Sequence, residues 1–342
     1  MLPAHSREGD LRIKWVDVAK SLGLFLVFWG HLLYGGSSVA GVMNRAIYSF
    51  HMPMYFILSG YVVKNDTQPF IDYLRNKACR ILLPAVLCYV LTIPIYFYYL
   101  DYSTITLKRI AFDLFYIQGD CAYNKPVWFF FCLFQILIVE RIARLSRSGN
   151  MKLLVVLLLS LLIGYVCYAS GWEWFSLFGF NRFIIGLFFF VFGMLLRRLE
   201  TVNYNLLGVI CLPIWVLTGV VLNPKVSMYT VNFGSFGLFV IAAITGSLAF
   251  FVLCQKLESI ERIQWNTKWT IFIVCSHYVL VTLFTIFSFR ISILGTILFD
   301  IASAIFVLVA LLLYNPLCEW LDVRFPILFG DYQDAKNHKR NK

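Results

Sequence analysis

Charge is scarce in this chain. Of its 342 residues 14% are Asp, Glu, Lys or Arg, while 60% are hydrophobic and the mean hydropathy is +0.77. Globular chains carry about a quarter charged residues, so the shortage excludes an ordinary soluble protein and points to a polytopic membrane protein. No long polar stretch is left from which a separate soluble domain could be built. Paired cysteines are missing too. Nine Cys are scattered without any Cys-x-x-Cys, most of them inside hydrophobic runs; they read as small apolar residues rather than a zinc site or a disulfide framework. No Gly-x-Ser-x-Gly elbow occurs, which disfavours an acyl-serine mechanism. There is no internal repeat, and no pair of glycine-interrupted helices of the kind inverted-repeat transporters carry. The polar start "MLPAHSREGDLRIKW" lacks the apolar run and cleavage site of a secretory signal, so the first hydrophobic segment is expected to stay in the product.

What is present is a series of apolar runs of the length a bilayer demands. They fall at 16–35, 44–63, 79–100, 126–145, 153–170, 181–199, 205–222, 233–255, 266–288 and 290–315. Backbone in lipid must satisfy its own hydrogen bonds, and these runs do not alternate as barrel strands do, so they predict helices. The expected fold is an all-α membrane protein, a bundle of about ten transmembrane helices spanning 1–315 with a basic tail at 316–342. With the N-terminus inside, seven of the 29 lysines and arginines lie outside or near the outer face: Arg45, Lys108, Arg109, Lys125, Arg182, Lys225 and Arg290. That bias satisfies the positive-inside rule and puts both termini in the cytoplasm. The net charge of +11 is thereby accounted for by topology, and its expected partner is anionic lipid, not nucleic acid. Two outer segments, 101–125 and "NPKVSMYTVNFGS", are candidate lips over an outward-facing cavity.

Ionisable groups inside a span are costly and usually face a cavity or the bundle interior. Lys20 and His31 bracket "KSLGLFLVFWGH" and stand eleven residues apart. On a helix that is about three turns, roughly 16 Å of rise with an offset near 20°, so they share one face. Asp17 can pair with Lys20 on that face. A ligand with an anionic head at the cytoplasm and a reactive end deep in the membrane suits this geometry, and an acyl coenzyme A has that shape. The alternative is a snorkelling lysine and a histidine hydrogen-bonded between helices.

The second run, "FHMPMYFILSGYVV", puts His51 about 10 Å deep by helical rise. Pro53 removes a backbone donor and leaves a carbonyl free for a substrate or for His51, while Ser59 and Gly60 permit close helix approach. Arg75, Lys77 and Arg80 in "YLRNKACRILLP" cluster where the chain re-enters the bilayer, a pattern that binds phosphate and that positive-inside topology also produces by default. His277, Asp300, Asp113 and Glu173 are further candidates without an assigned role.

"WVDVAKSLGLFLVFWGH", "FHMPMYFILSGYVV", "RNKACRILLP", "NKPVWFFFCLF" and "NTKWTIFIVCSHYVLV" stand in the order and approximate spacing of the acyltransferase-3 family. The chain resembles that family over residues 12 to 315, and most resembles its fucose 4-O-acetylase-like, surface-polysaccharide O-acetyltransferase branch. The resemblance implies an enzyme of the bacterial inner membrane that moves an acetyl group from cytoplasmic acetyl-CoA to a sugar hydroxyl of a glycan or lipid-linked saccharide, with no permanently bound cofactor or metal. The family's arginine, ten residues and histidine fall on Lys20 and His31, so the cation is kept but the bidentate fork is lost. The family's basic motif maps onto Lys77 and Arg80, with Pro84 following; Trp128 follows a proline as the family prefers, and Asn266 and His277 match the late motif.

The expected roles are therefore His31 as general base, and His51 positioning the acceptor or supporting the oxyanion. Lys20, Arg75, Lys77 and Arg80 are expected at the donor's phosphates, and Trp128, Tyr123 and Asn124 at the sugar. A transporter or exporter of a glycan precursor is the competing class.

Overall fold

The computed structural model describes residues 13–33, 38–100, 108, 110–112, 124–171, 179–199, 204–260, 269–288 and 296–329. Among these there is no strand; a single bridge joins Ser227 and Asn232. The helices are α1 (Lys14–Leu32), α2 (Ser38–Val62), α3 (Phe70–Lys77), α4 (Leu83–Leu100), α5 (Trp128–Ala143), α6 (Asn150–Ala169), α7 (Phe180–Arg197), α8 (Tyr204–Trp215), α9 (Phe236–Leu257), α10 (Thr270–Ser288) and α11 (Thr296–Arg324). A π-helical turn at Ala78–Leu82 joins α3 to α4, ending two residues before Pro84, and a second at Val216–Val221 extends α8. α11 continues through Pro316 to Arg324, past the span expected to end at 315.

Among the described residues six helical segments are long and apolar enough to cross a membrane: Phe70–Pro94, Lys125–Ala143, Asn150–Ala169, Phe180–Arg197, Phe236–Leu257 and Leu298–Arg324. The protein is a multi-pass membrane protein. Leu206–Val221 and Thr270–Thr285 are apolar but shorter. α1 and α2, at 19 and 25 residues, have the length and fall short in apolarity. The cause is the polar side chains they carry: Asp17, Lys20 and His31 on one, Asn44, Arg45 and His51 on the other.

Those two helices lie inside the bundle. α1 packs against α2, α9, α10 and α11, and α2 packs most extensively against α7. The α2–α7 contact is a glycine seam: a Cβ on Gly60 would run into the carbonyl oxygen of Phe190, and one on Gly193 into that of Ile57. Small residues let helix backbones approach closely in lipid, where dispersion contacts replace the hydrophobic effect as the source of association. The seam holds α7 inside, with 67% of its apolar window buried, against 22% for α6 at the rim.

α2 fixes α1 at both ends. Tyr55 donates its hydroxyl to the Lys20 carbonyl at 3.2 Å, and Trp15 meets Tyr61 edge to face. At the other end Asn44 donates to the carbonyls of Gly30 and Leu33 at 3.3 and 3.2 Å. Terminal carbonyls of a helix have no intrahelical partner, so a buried amide there both caps α1 and fixes where His31 stands.

Candidate active site

His31 sits one residue before the end of α1, among side chains from two other helices. Its Nδ1 lies 3.4 Å from the Tyr48 hydroxyl of α2, and its ring centroid is 5.5 Å from each of His277 and Tyr278 of α10. Tyr48 in turn packs edge to face on His51 at 4.9 Å, three residues on along the same face of α2. His277 packs against Phe28. The charges of Lys125 and Lys225 also bear on His31. The structure thus brings three histidines from three helices into one cluster with two tyrosines and two lysines at its edge.

Two of the imidazoles are fixed in orientation. A carbonyl can only accept, so the His51 Nδ1–H donates to the Ile47 carbonyl at 2.8 Å, and the His277 Nδ1–H donates to that of Val274 at 2.8 Å. In the neutral ring each Nε2 is then a bare lone pair. The His277 Nε2 is buried and has no hydrogen-bond partner among the described residues. The carbonyl that His51 uses belongs to Ile47, one turn back, and not to Ser49, whose usual donor Pro53 removes. Among the described residues no group of three His, Cys, Asp or Glu side chains is placed to hold a metal ion.

Two loop segments close this end of the bundle. The Asn124 side chain is fully buried and donates Nδ2 to the Cys275 carbonyl, two residues before His277, while its Oδ1 has no partner among the described residues. This tie puts Lys125 at the site. The 222–235 lip is folded on itself. Asn223 donates to the Phe233 carbonyl and accepts from the Ser235 N–H, while Ser227 and Asn232 exchange backbone hydrogen bonds at 2.7 and 3.0 Å. Gly234, at φ +61°, makes the turn that lets the Tyr168 hydroxyl reach its carbonyl. The lip carries the Lys225 ammonium over the Tyr48 ring at 4.9 Å. Partial burial there pushes the Lys225 pKa below its usual value.

The other end of α1 is arranged differently. Lys20 is a third exposed and lies 3.6 Å from Asp17, as the shared face predicts. Arg75 and Arg80 are exposed, and Lys77 is half-buried with its ammonium 5.2 Å above the Tyr73 ring. Four other basic residues at this end are engaged with backbone carbonyls and amides. Arg141 donates to the carbonyls of Asp66 and Gln68, Arg197 to that of Val63, Arg147 to the Asn65 side chain, and Arg198 to the Asn150 side chain.

Of the expected sugar contacts, Asn124 reaches the site, as a residue that holds the loop to α10. Trp128 is buried in the aromatic core, its ring within 6.3 Å of Phe56 and Phe129. Tyr123, Asp113, Glu173, Asn266 and most of 101–125 lie outside the described residues. Asp300 is buried in α11, near the Trp29 to Ser303 hydrogen bond that ties α1 to α11. Sequence reasoning passed over Tyr48, Tyr278 and Lys225. Tyr48 carried a usable signal, since it precedes His51 by one helical turn.

The acyltransferase-3 family model, described as an acyltransferase domain, matches residues 13–315 and so encloses every residue of this cluster. The chain belongs to the acyltransferase-3 family. It is a membrane acyltransferase, and its histidine cluster lies within the acyltransferase domain. Searches of curated proteins and of solved structures found no match.

Proposed function

We propose that this acyltransferase takes an acetyl or other short acyl group from cytoplasmic acyl-CoA and esterifies a sugar hydroxyl of a surface polysaccharide or of its lipid-linked precursor. The setting is the bacterial inner membrane, in a ten-helix topology with both termini cytoplasmic, and the branch is the fucose 4-O-acetylase-like one. The single observation that supports this most is the arrangement of α1: a cation at one end and, about 16 Å along the same face, an imidazole held between Tyr48 and the α10 pair His277 and Tyr278. Phosphates held at Lys20, Arg75, Lys77 and Arg80 leave the pantetheine arm to carry the thioester inward.

In the tautomer where the His31 Nδ1–H donates to the Tyr48 oxygen, Nε2 is the base. It takes the proton of the sugar hydroxyl as that oxygen attacks the thioester carbonyl. The C–O bond forms, the C–S bond breaks, and the imidazolium returns the proton to the departing CoA thiolate. His51, whose Nε2 is a lone pair in the neutral ring, accepts from a neighbouring hydroxyl of the same sugar and so positions the acceptor, and does not serve the oxyanion. Lys125 and Lys225 supply the positive charge that the tetrahedral oxyanion needs.

The test is transfer of radiolabel from acetyl-CoA to a base-labile ester on glycan, by membranes that contain the protein and by membranes that lack it. Label on the glycan is the expected result. Movement of an unmodified solute without acetyl-CoA would replace this reading with a transporter.

A further inference from the structure

A cavity of about 540 Å³ lies at the bundle end that carries the 222–235 lip. That is within the roughly 300–1,000 Å³ of small-molecule sites. Its walls come from the end of α6, the start of α7 and the lip, and include Tyr168, Asn181, Arg182, Tyr229, Thr230 and Asn232. Arg182 decides its chemistry. The residue is 7% exposed, its guanidinium lies 5.0 Å above the Tyr229 ring, and Nη1 has no hydrogen-bond partner among the described residues. A buried guanidinium with an idle donor is costly unless something anionic completes it. Among the described residues that line the cavity none is acidic.

From this arrangement we infer that the cavity is a binding subsite for an acidic sugar residue, its carboxylate taken by Arg182 and its ring held between Tyr168 and Tyr229. The remaining lining groups fit a saccharide. Two amides and a threonine hydroxyl match ring hydroxyls, and the two tyrosines offer flat apolar faces with polar tips. A planar fork suits a carboxylate better than a point charge would. The location gives the subsite a use. The lip that supplies Tyr229, Thr230 and Asn232 to this cavity also carries Lys225 to Tyr48 beside His31, so one short segment touches both places. A saccharide chain held by its acidic residue in the cavity would present a neighbouring sugar toward the histidines. The inference rests on the saccharide acceptor proposed above and names its class: an acidic glycan.

The experiment is ligand binding to the full-length protein in lipid nanodiscs without acyl donor, comparing a glucuronate-containing oligosaccharide with its carboxyl-reduced neutral counterpart. The expected result is about tenfold tighter binding of the acidic form, as befits a charge-assisted hydrogen bond. That preference should be lost in Arg182→Gln, partly kept in Arg182→Lys, and reduced in Tyr229→Ala, all at unchanged melting temperature. Equal affinity for both forms in the wild type overturns the subsite. So does displacement of the acidic ligand when phosphatidylglycerol is added to the nanodisc, which would assign the arginine to a lipid headgroup. A loss of folding in Arg182→Gln that Glu173→Gln reproduces would make the arginine half of a structural ion pair and also overturn it. Acetyl transfer to the neutral counterpart, run on the same preparations, tests the acyltransferase reading by itself. Its failure with the acidic preference intact strikes that reading and not the subsite.

Discussion

The two ends of α1 hold ionisable groups in opposite ways. At the His31 end, each imidazole of His51 and His277 is tied through Nδ1 to a carbonyl of its own helix, which leaves Nε2 as the lone pair of the neutral ring. His31 itself is set by a tyrosine and by the Asn44 cap on its helix. At the Lys20 end the neighbouring cations are exposed or half-buried, and Lys20 meets Asp17 at 3.6 Å, a distance for charge pairing rather than a tight hydrogen bond. A ring fixed by one nitrogen is a base with a direction, whereas an exposed ammonium is a point charge that another can replace. The chemistry end should therefore respond steeply to substitution and the charge end shallowly.

The steepest response is expected from His31→Ala. Loss of a general base costs about 10²- to 10⁴-fold in rate, while membrane insertion and melting temperature should not change, because the Asn44 bonds to the backbone of α1 persist. Radiolabel transfer and a thermal melt on the same membranes check both halves. Transfer at the wild-type rate would break the comparison at its root.

Trp128→Ala sharpens it from the side of stability. The ring is 3% exposed between Phe56 and Phe129, and truncating a buried aromatic of this size costs about 3–5 kcal/mol. A melting temperature lower by many degrees with an unchanged acceptor KM is the expected outcome. A raised acceptor KM at normal stability would return Trp128 to the sugar site that its place after Pro126 suggests.

His277→Phe is next. Phenylalanine keeps the packing against Phe28 and removes the buried Nε2 lone pair. A lone pair that accepts one hydrogen bond from the bound acceptor is worth about tenfold in kcat, and KM for acetyl-CoA should not change. Unaltered kcat would make His277 a packing residue and leave His31 with Tyr48 as its sole polar partner among those described here.

Much of this contrast was legible in the sequence. The helices follow from apolar runs of bilayer length, and the shared face of Lys20, Asp17 and His31 follows from helical spacing alone. Gly60 was recognised as a close-approach residue, and the α2–α7 seam uses it so. Which helices meet was not legible. His277 stood out as a costly group without a role because its neighbour His31 lies on α1, far along the chain. Tyr48 and Tyr278 were hidden for another reason: with 18% aromatic residues a single tyrosine carries little signal. Arg182 read as one of the few outer cations, and its burial against Tyr229 depends on a lip whose fold is set by Asn223 and Gly234 rather than by any apolar pattern.

The smallest effect belongs to Lys20→Arg, and it bears most directly on the separation of the two ends. Arginine would restore the family's fork at this position. One edge could hold Asp17, which is nearly buried, while the remaining donors face a phosphate. Exposed charge pairs are worth up to about 1 kcal/mol, so KM for acetyl-CoA should fall about two- to threefold, with kcat unchanged. Lys20→Gln should raise KM by a similar or somewhat larger factor, and added salt should erase both differences, because screening acts on solvated charges. A change in kcat in either variant would mean that the cation is registered with the imidazole through the rigid length of α1. In that case the two ends are one machine, and the shallow response expected of Lys20 would give way to the steep one expected of His31.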